Sequence, residues 1–373
     1  MDRRAWFQQS ALAGLAGIAV PKWLENDQQG YSSADLSRRP KTSVIRLSHN
    51  ENPFGPSPKT RQAIIEAIVQ GNRYPRESID ALANKIAAKE NLSANQIMIT
   101  AGSTELLGLT GLVYGVAGGE LISGFPTFDF MLRYSQTIGA KWVQVPLRDQ
   151  KYDLEAIAGK ISEQTKLIFI CNPNNPTGTY LPKNQVEQFI NTYSAKTPMF
   201  VDEAYIELIP QGISASLAPL TRENKNLIIG RTFSKIYGMA GLRLGYAIAH
   251  PETINKLKAW NTGGLISPSV CTLEGGIAAM DDTPFLEKTL KENEACKQMV
   301  YAAFEREGIK YCPSSANFIW FTTDRFKGDI YEALKAQQIY TRNYSYAPGW
   351  CRVSMGTPRE IEIFIDRTLA MLV

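Results

Sequence analysis

The stretch RTFSKIYGMAGLRLGY, Arg231–Tyr246, decides how the rest of the chain is read. It sets one lysine, Lys235, just after two small hydroxylated residues, Thr232 and Ser234, and an arginine, Arg243, follows further on. An amine is nucleophilic only when neutral, so a reactive lysine must be reachable, partly desolvated and close to other cations. Two hydroxyls and a guanidinium beside it make a cradle for a phosphate. In isolation the same residues also suit a surface lysine before a glycine-rich turn.

Two further segments precede it. KLIFICNPNNPTG, Lys166–Gly178, is an apolar run that breaks into Asn and Pro, the pattern of a buried parallel strand ending in a loop. MFVDEAYIEL, Met199–Leu208, places Asp202 at the end of another apolar strand. A carboxylate there needs a cationic partner or must serve as a helix N-cap. In open α/β sheets, ligands sit beyond the carboxyl ends of the strands, which is where Asn175, Asp202 and Lys235 fall in turn.

In order and spacing these motifs resemble the class I/II aminotransferases, which are fold type I enzymes dependent on pyridoxal 5'-phosphate (PLP). The histidinol-phosphate aminotransferase branch is the most similar, and the likeness runs from about Val44 to the C-terminus. The resemblance implies that Lys235 forms the Schiff base with the cofactor and that Asp202 pairs with its pyridinium nitrogen. Asn175 and Tyr205 would reach its ring oxygen, and Phe128 would stack on its ring. Gly102, Ser103 and Thr104 would hold its phosphate together with Thr232, Ser234 and Arg243. A helix beginning near Ser103 would offer free N–H groups to that anion, although Ser103 and Glu105 also suit a plain capping box. Tyr74, in NRYP, matches a tyrosine that reaches the phosphate in the neighbouring subunit, which implies a homodimer with shared active sites. Arg352 would bind the substrate α-carboxylate and Arg342 a second anionic group, while Asn52 and Phe54 would lie near the entrance. Two departures from the branch are visible: Ser103-Thr104 stands where Ala-Asp is usual, and Phe128 where tyrosine is common.

The implied reaction moves an amino group between an amino acid or phosphorylated amine and a 2-oxo acid. A decarboxylase or lyase of the same fold, such as a threonine-phosphate decarboxylase, and an aromatic amino acid aminotransferase remain alternatives.

Strand runs at 96–100, 120–123, 141–146, 226–229 and 242–248 alternate with helical stretches such as 183–192. This predicts an α/β fold with a mostly parallel sheet. After about Pro268 the pattern changes to helices at 284–307, 329–337 and 358–372 around a strand at 317–321, a smaller α+β domain. The expected organisation is a large PLP-binding domain over 70–267. Residues 31–69 and 268–373 would form an N-terminal arm and small domain.

Residues 1–30 read as a signal segment and linker. Arg3 and Arg4 precede an apolar, Ala- and Gly-rich stretch too short to span a bilayer. Paired arginines ahead of Trp6 and Phe7 resemble a twin-arginine signal, which predicts a periplasmic protein; a cytoplasmic one is the alternative.

Composition narrows the classes. The net charge of +4 and the lack of any basic block argue against nucleic-acid binding. Five scattered cysteines and two histidines offer no paired metal spacing, so no metal is expected. No phosphate loop and no nucleophile elbow is present.

Overall fold

A computed structural model describes residues 44–261 and 267–372. The signal segment and linker expected at the N-terminus lie outside the described residues. From Ile45 onward the chain is one compact unit, and among the described residues it holds two large hydrophobic cores and a small satellite of Ile206, Ile209 and Ala215.

The larger core surrounds a seven-stranded sheet. Its strands are β2 (Ile97–Thr100), β3 (Glu120–Phe125), β4 (Lys141–Pro146), β5 (Thr165–Cys171), β6 (Met199–Asp202), β7 (Leu227–Thr232) and β8 (Gly245–Ala249), in the order β2-β8-β7-β6-β5-β3-β4. β5, β6 and β7 are almost wholly buried. That is why Leu167–Cys171, Met199–Val201 and Leu227–Ile229 read as apolar runs rather than alternating ones: helices cover both faces of a parallel sheet. Helices α1 (Pro58–Ala67) and α2 (Arg76–Glu90) precede the sheet in the chain, and α3 (Ser103–Gly115), α4 (Phe130–Thr137), α5 (Leu154–Ala158) and α6 (Lys183–Tyr193) supply connections.

One strand departs from the parallel rule. β8 runs antiparallel to both β2 and β7. The link from β7 to β8 contains only a 3-10 turn, Ala240–Leu242, and lacks the helix that normally carries a chain back across a sheet. The strand expected from Leu242 therefore starts at Gly245, since Arg243 takes a left-handed conformation, φ 55°. Register then sets the site: Gly245 pairs with Thr100 of β2 and with Thr232 of β7, so both strand ends deliver their loops to the same edge.

The smaller core lies around β9 (Tyr311–Cys312), β10 (Phe318–Thr322), β12 (Arg342–Asn343) and β13 (Trp350–Ser354) in an antiparallel sheet. α9 (Thr283–Arg306), α10 (Ile330–Ala336) and α11 (Pro358–Leu369) contribute to it. The segment after β8 opens with α7 (Pro251–Trp260) and α8 (Val270–Met280). Leu273 and Ala279 of α8 belong to the larger core, although this helix was expected with the small domain. The N-terminal arm is tied down by β1 (Ile45–Arg46), paired parallel with β11 (Ile339–Tyr340), and by fully buried Leu47, whose carbonyl accepts from Ser354 N–H at 2.8 Å.

Beneath the sheet edge lies a wholly buried ion cluster. Arg231 donates to Glu203 (2.8 Å) and Ser216 (2.7 Å), and Glu90 stands 3.3 Å away. These contacts lock β6 to β7 one residue from Asp202 and Thr232. No helix among the described residues is long and apolar enough to cross a membrane.

Candidate active site

The carboxyl ends of β2, β5, β6 and β7, the arm and the small-domain turn after β12 surround an open cleft of about 790 Å³. Ser103, Thr104, Phe128, Asn175, Asp202, Tyr205, Thr232, Ser234, Lys235, Arg243, Arg342 and Arg352, all anticipated from the sequence, line it.

Lys235 is half-buried, and its Nζ donates to the carbonyl of His49 at 3.1 Å. Burial and the neighbouring Arg352 lower its pKa to about 8, against the opposing pull of Glu51 and Asp202. Asp202 is buried at the end of β6, and its Oδ1 accepts from Ala204 N–H at 3.1 Å. It therefore caps a local turn and also faces the cleft. Burial raises its pKa to about 7, while the Ala204 N–H and Lys235 hold it down. Such a carboxylate calls for a cation that this chain does not itself place in ion-pair contact among the described residues.

The anion-binding corner is built by close approach. Gly102 precedes α3 with φ 82°, and a Cβ there would lie 2.5 Å from Arg243 Nη2. No side chain caps α3, so the capping box suggested by Ser103 and Glu105 does not form; Glu105 instead accepts from Ala101 N–H. The helix keeps its first N–H groups and its positive end toward the cleft. Arg243 donates to Ala240 O (2.8 Å) and Thr104 Oγ1 (3.3 Å), and Thr232 Oγ1 bonds Ser234 Oγ at 2.9 Å. The start of β8 presses on this corner: a Cβ on Gly245 would stand 2.5 Å from Ser103 N and 2.7 Å from Gly102 C. Gly245→Ala is expected to lose about 1–3 kcal/mol of stability and to weaken phosphate binding. Thermal melts and titration of the native and variant proteins with PLP would check this, and an unchanged affinity would count against the corner.

Opposite lies Arg352, buried, donating to Asn175 Oδ1 and Ser48 O, with its Nε unpartnered. Its guanidinium stacks 5.2 Å from Phe318 and 5.7 Å from Tyr344. Arg342 is exposed and sits 5.5 Å over Tyr344. Four anticipated residues lie off the cleft wall. Gly102 acts from behind Arg243. Tyr74 is 80% exposed and outside the cleft. Asn52 is buried, donating to Ile236 O at 2.7 Å, and with Phe54 lines a separate small recess. The wall also takes Ser48, His49, Asn50 and Glu51 from the arm stretch LSHNENPFGPSP, Leu47–Pro58, itself part of the resemblance, and Tyr344 and Tyr346 from the turn, to which the sequence reading gives no role. The aromatic alternation of NYSY between two arginines could have marked the last two.

The profile of the family described as aminotransferase class I and II matches residues 42–367. The chain therefore belongs to the class I and II aminotransferases, and with this fold it is a PLP-dependent transaminase-type enzyme. Within that family it is similar to histidinol-phosphate aminotransferases. It is 34% identical to the one from Symbiobacterium thermophilum over 331 residues, covering 88% of this chain and 91% of that protein. The crystal structure of histidinol-phosphate aminotransferase from Sinorhizobium meliloti in complex with pyridoxal-5'-phosphate superposes with a TM-score of 0.81 at 23% identity, covering 96% of this chain and 99% of that one. The same fold is seen in an L-threonine-O-3-phosphate decarboxylase from Porphyromonas gingivalis, with TM-score 0.75, 18% identity and coverage of 88% and 99%.

The residues present fit the cofactor. A lysine amine lowered toward neutrality, a buried carboxylate without a cation, and an arginine–hydroxyl–helix corner are the three donor sets its aldehyde, ring nitrogen and phosphate require.

Proposed function

We propose that this chain transfers an amino group between an amino acid or phosphorylated amine and a 2-oxo acid, as a histidinol-phosphate aminotransferase-like enzyme. The observation that carries the reading is one cleft holding Lys235 with its depressed pKa, buried Asp202 and the Arg243 corner. When bound, the cofactor supplies a carbonyl that accepts the amino group and a ring that withdraws electrons from the substrate's α-carbon.

The chain's own groups divide the remaining work. Gly102, Ser103, Thr104, Thr232, Ser234 and Arg243 would hold the phosphate, and Phe128 would cover the ring face. Asp202, ionised, would keep a ring nitrogen protonated. Asn175 and Tyr205 would reach the ring oxygen. Lys235, as a neutral amine, would take the proton from the substrate's α-carbon and return it one position away, acting as base and then acid. Arg352 would grip the α-carboxylate through two parallel hydrogen bonds, and Arg342 a second anion at the mouth.

The test is an absorbance spectrum of the PLP-loaded protein before and after glutamate. Loss of the visible band with a new near-ultraviolet band, reversed by a 2-oxo acid, is the expected result. A visible band that glutamate leaves alone while a phosphorylated amino acid releases carbon dioxide would replace this reading with a decarboxylase.

We also propose a homodimer completed by Tyr74, whose exposure, shared with nearby Ile68 and Val69, supports it. A monomeric mass by light scattering at working concentration would reject it. Export by a twin-arginine route is proposed from Arg3 and Arg4 alone; retention of the full-length protein in the cytoplasm of a host competent for that route would refute it.

A further inference from the structure

Asn50 is the arm residue with the most complete set of bonds. It is 1% exposed and adopts φ 55°, a left-handed conformation that asparagine tolerates better than most residues. Its backbone N–H donates to Ser354 Oγ at 2.8 Å, and its carbonyl accepts from Asn317 Nδ2 at 3.0 Å. Its side-chain Oδ1 lies 2.8 Å from the same Ser354 Oγ, and its Nδ2 lies 2.9 Å from the Tyr205 hydroxyl.

The polarity of this network follows from matching each donor to an acceptor within reach. A backbone N–H can only donate, so Ser354 Oγ accepts from it and sends its single proton to Asn50 Oδ1. Turning the Asn50 amide over would take away the acceptor that Ser354 Oγ donates to at 2.8 Å. The amide therefore presents NH2 to Tyr205. A second, independent constraint acts on Asn175: its Oδ1 accepts from the Arg352 guanidinium, which has no acceptor, so its Nδ2 is the atom facing the Tyr205 hydroxyl, at 3.4 Å. The hydroxyl meets a donor from each side. It can accept from both, and its one proton is left for an acceptor in the cleft that Tyr205 lines.

We propose that Asn50 is a positioning residue: its amide, oriented by Ser354, fixes the Tyr205 hydroxyl as a hydrogen-bond donor into the cleft. Burial pushes the Tyr205 phenol well above its ordinary value, so the proton stays on the oxygen. The link also couples the arm to the substrate side, since Ser354 is two residues beyond Arg352 on the same strand. The consequence rests on the cofactor reading above. A donor to the cofactor's ring oxygen stabilises negative charge there and weakens that oxygen's hold on neighbouring protons.

The decisive variant is Asn50→Asp. It changes one atom, keeps the acceptor for Ser354 and tolerates the left-handed backbone. It replaces the donor facing Tyr205 by an acceptor, which draws the hydroxyl proton away from the cleft. The readout is the pH midpoint of the visible band of the PLP-loaded protein, measured in the native and the Tyr205→Phe backgrounds. Asn50→Asp is expected to raise the midpoint by about one pH unit in the native background, the scale of one charge-assisted hydrogen bond. In Tyr205→Phe it should move the midpoint by less than a third of that.

An equal shift in both backgrounds would mean that the new carboxylate acts through space, and it would overturn the proposal. So would no shift in the native background. If Asn50→Asp does not fold, Ser354→Ala carries the same test, because it frees the Asn50 amide to rotate. A native protein without a visible band would overturn the cofactor reading itself. A native band that titrates while the variants match it would overturn the role of Asn50 alone.

Discussion

Lys235→Ala is expected to lower turnover about 10⁴-fold or more, the scale of removing a positioned proton-transfer group that is also the nucleophile. Among the described residues Lys235 is the single lysine on the cleft wall, so no second amine stands ready to replace it. His49, also on the wall, has its Nδ1 held by Ser48 at 2.6 Å. The amine is suited to its task by its surroundings. Burial and Arg352 bring it down to about 8, so a useful fraction is neutral near pH 8, where a free lysine would be almost wholly charged. Single-turnover measurements with glutamate would check the result, and turnover within tenfold of native would remove Lys235 from the reaction. Because the variant keeps Asp202 and the Arg243 corner, it should still bind the cofactor, reversibly and without the native visible band.

Asp202→Asn is expected to cost about 10²–10³ in turnover, the effect of losing a desolvated ion-pair partner in the loaded site. Stability of the cofactor-free protein should move the other way. The Asp202 carboxyl is raised from 3.8 to about 7 in the fold, so between these values the folded state binds more protons than the unfolded one. Its contribution to stability falls as pH rises from about 4 to about 7 and stays unfavourable above that. Asparagine removes the buried charge and keeps an oxygen for the Ala204 N–H. The cofactor-free variant should therefore melt above the native protein at pH 8 and show little advantage at pH 4. Adding PLP should restore the native protein's lead, because only the native carboxylate gains a cation. A cofactor-free variant that melts below the native protein at pH 8 would show that Asp202 is stabilised by this chain alone.

Most of the sheet was legible because burial on both faces leaves a simple mark. β5, β6 and β7 are apolar runs that end where a carboxylate, an asparagine or a lysine would be costly unless used. The cofactor side of the cleft was legible for the same reason, since its residues sit at a strand end or within four positions of one. The substrate side was less so. Arg342 and Arg352 could be named, but the tyrosines between them and the arm residues opposite come from separate stretches, and nothing in local periodicity pairs them. The reversal of β8 was also hidden, because its five residues are as buried as those of a parallel strand and only its partners reveal its direction.

What the sequence by itself determined is the chemistry available: one lysine after hydroxyls, one aspartate ending an apolar strand, and arginines for two anions, each fixed by residue type and local pattern. What only the tertiary structure decided is polarity and proximity. Gly245 meets Ser103 because two strand registers align. Asn50 reaches Tyr205 across 155 positions. Asn175 turns its amide toward Tyr205 because Arg352, 177 positions away, holds its oxygen. Hydrogen bonds are short-ranged and directional, so which atom donates and which accepts is set by partners that meet only when the chain is folded.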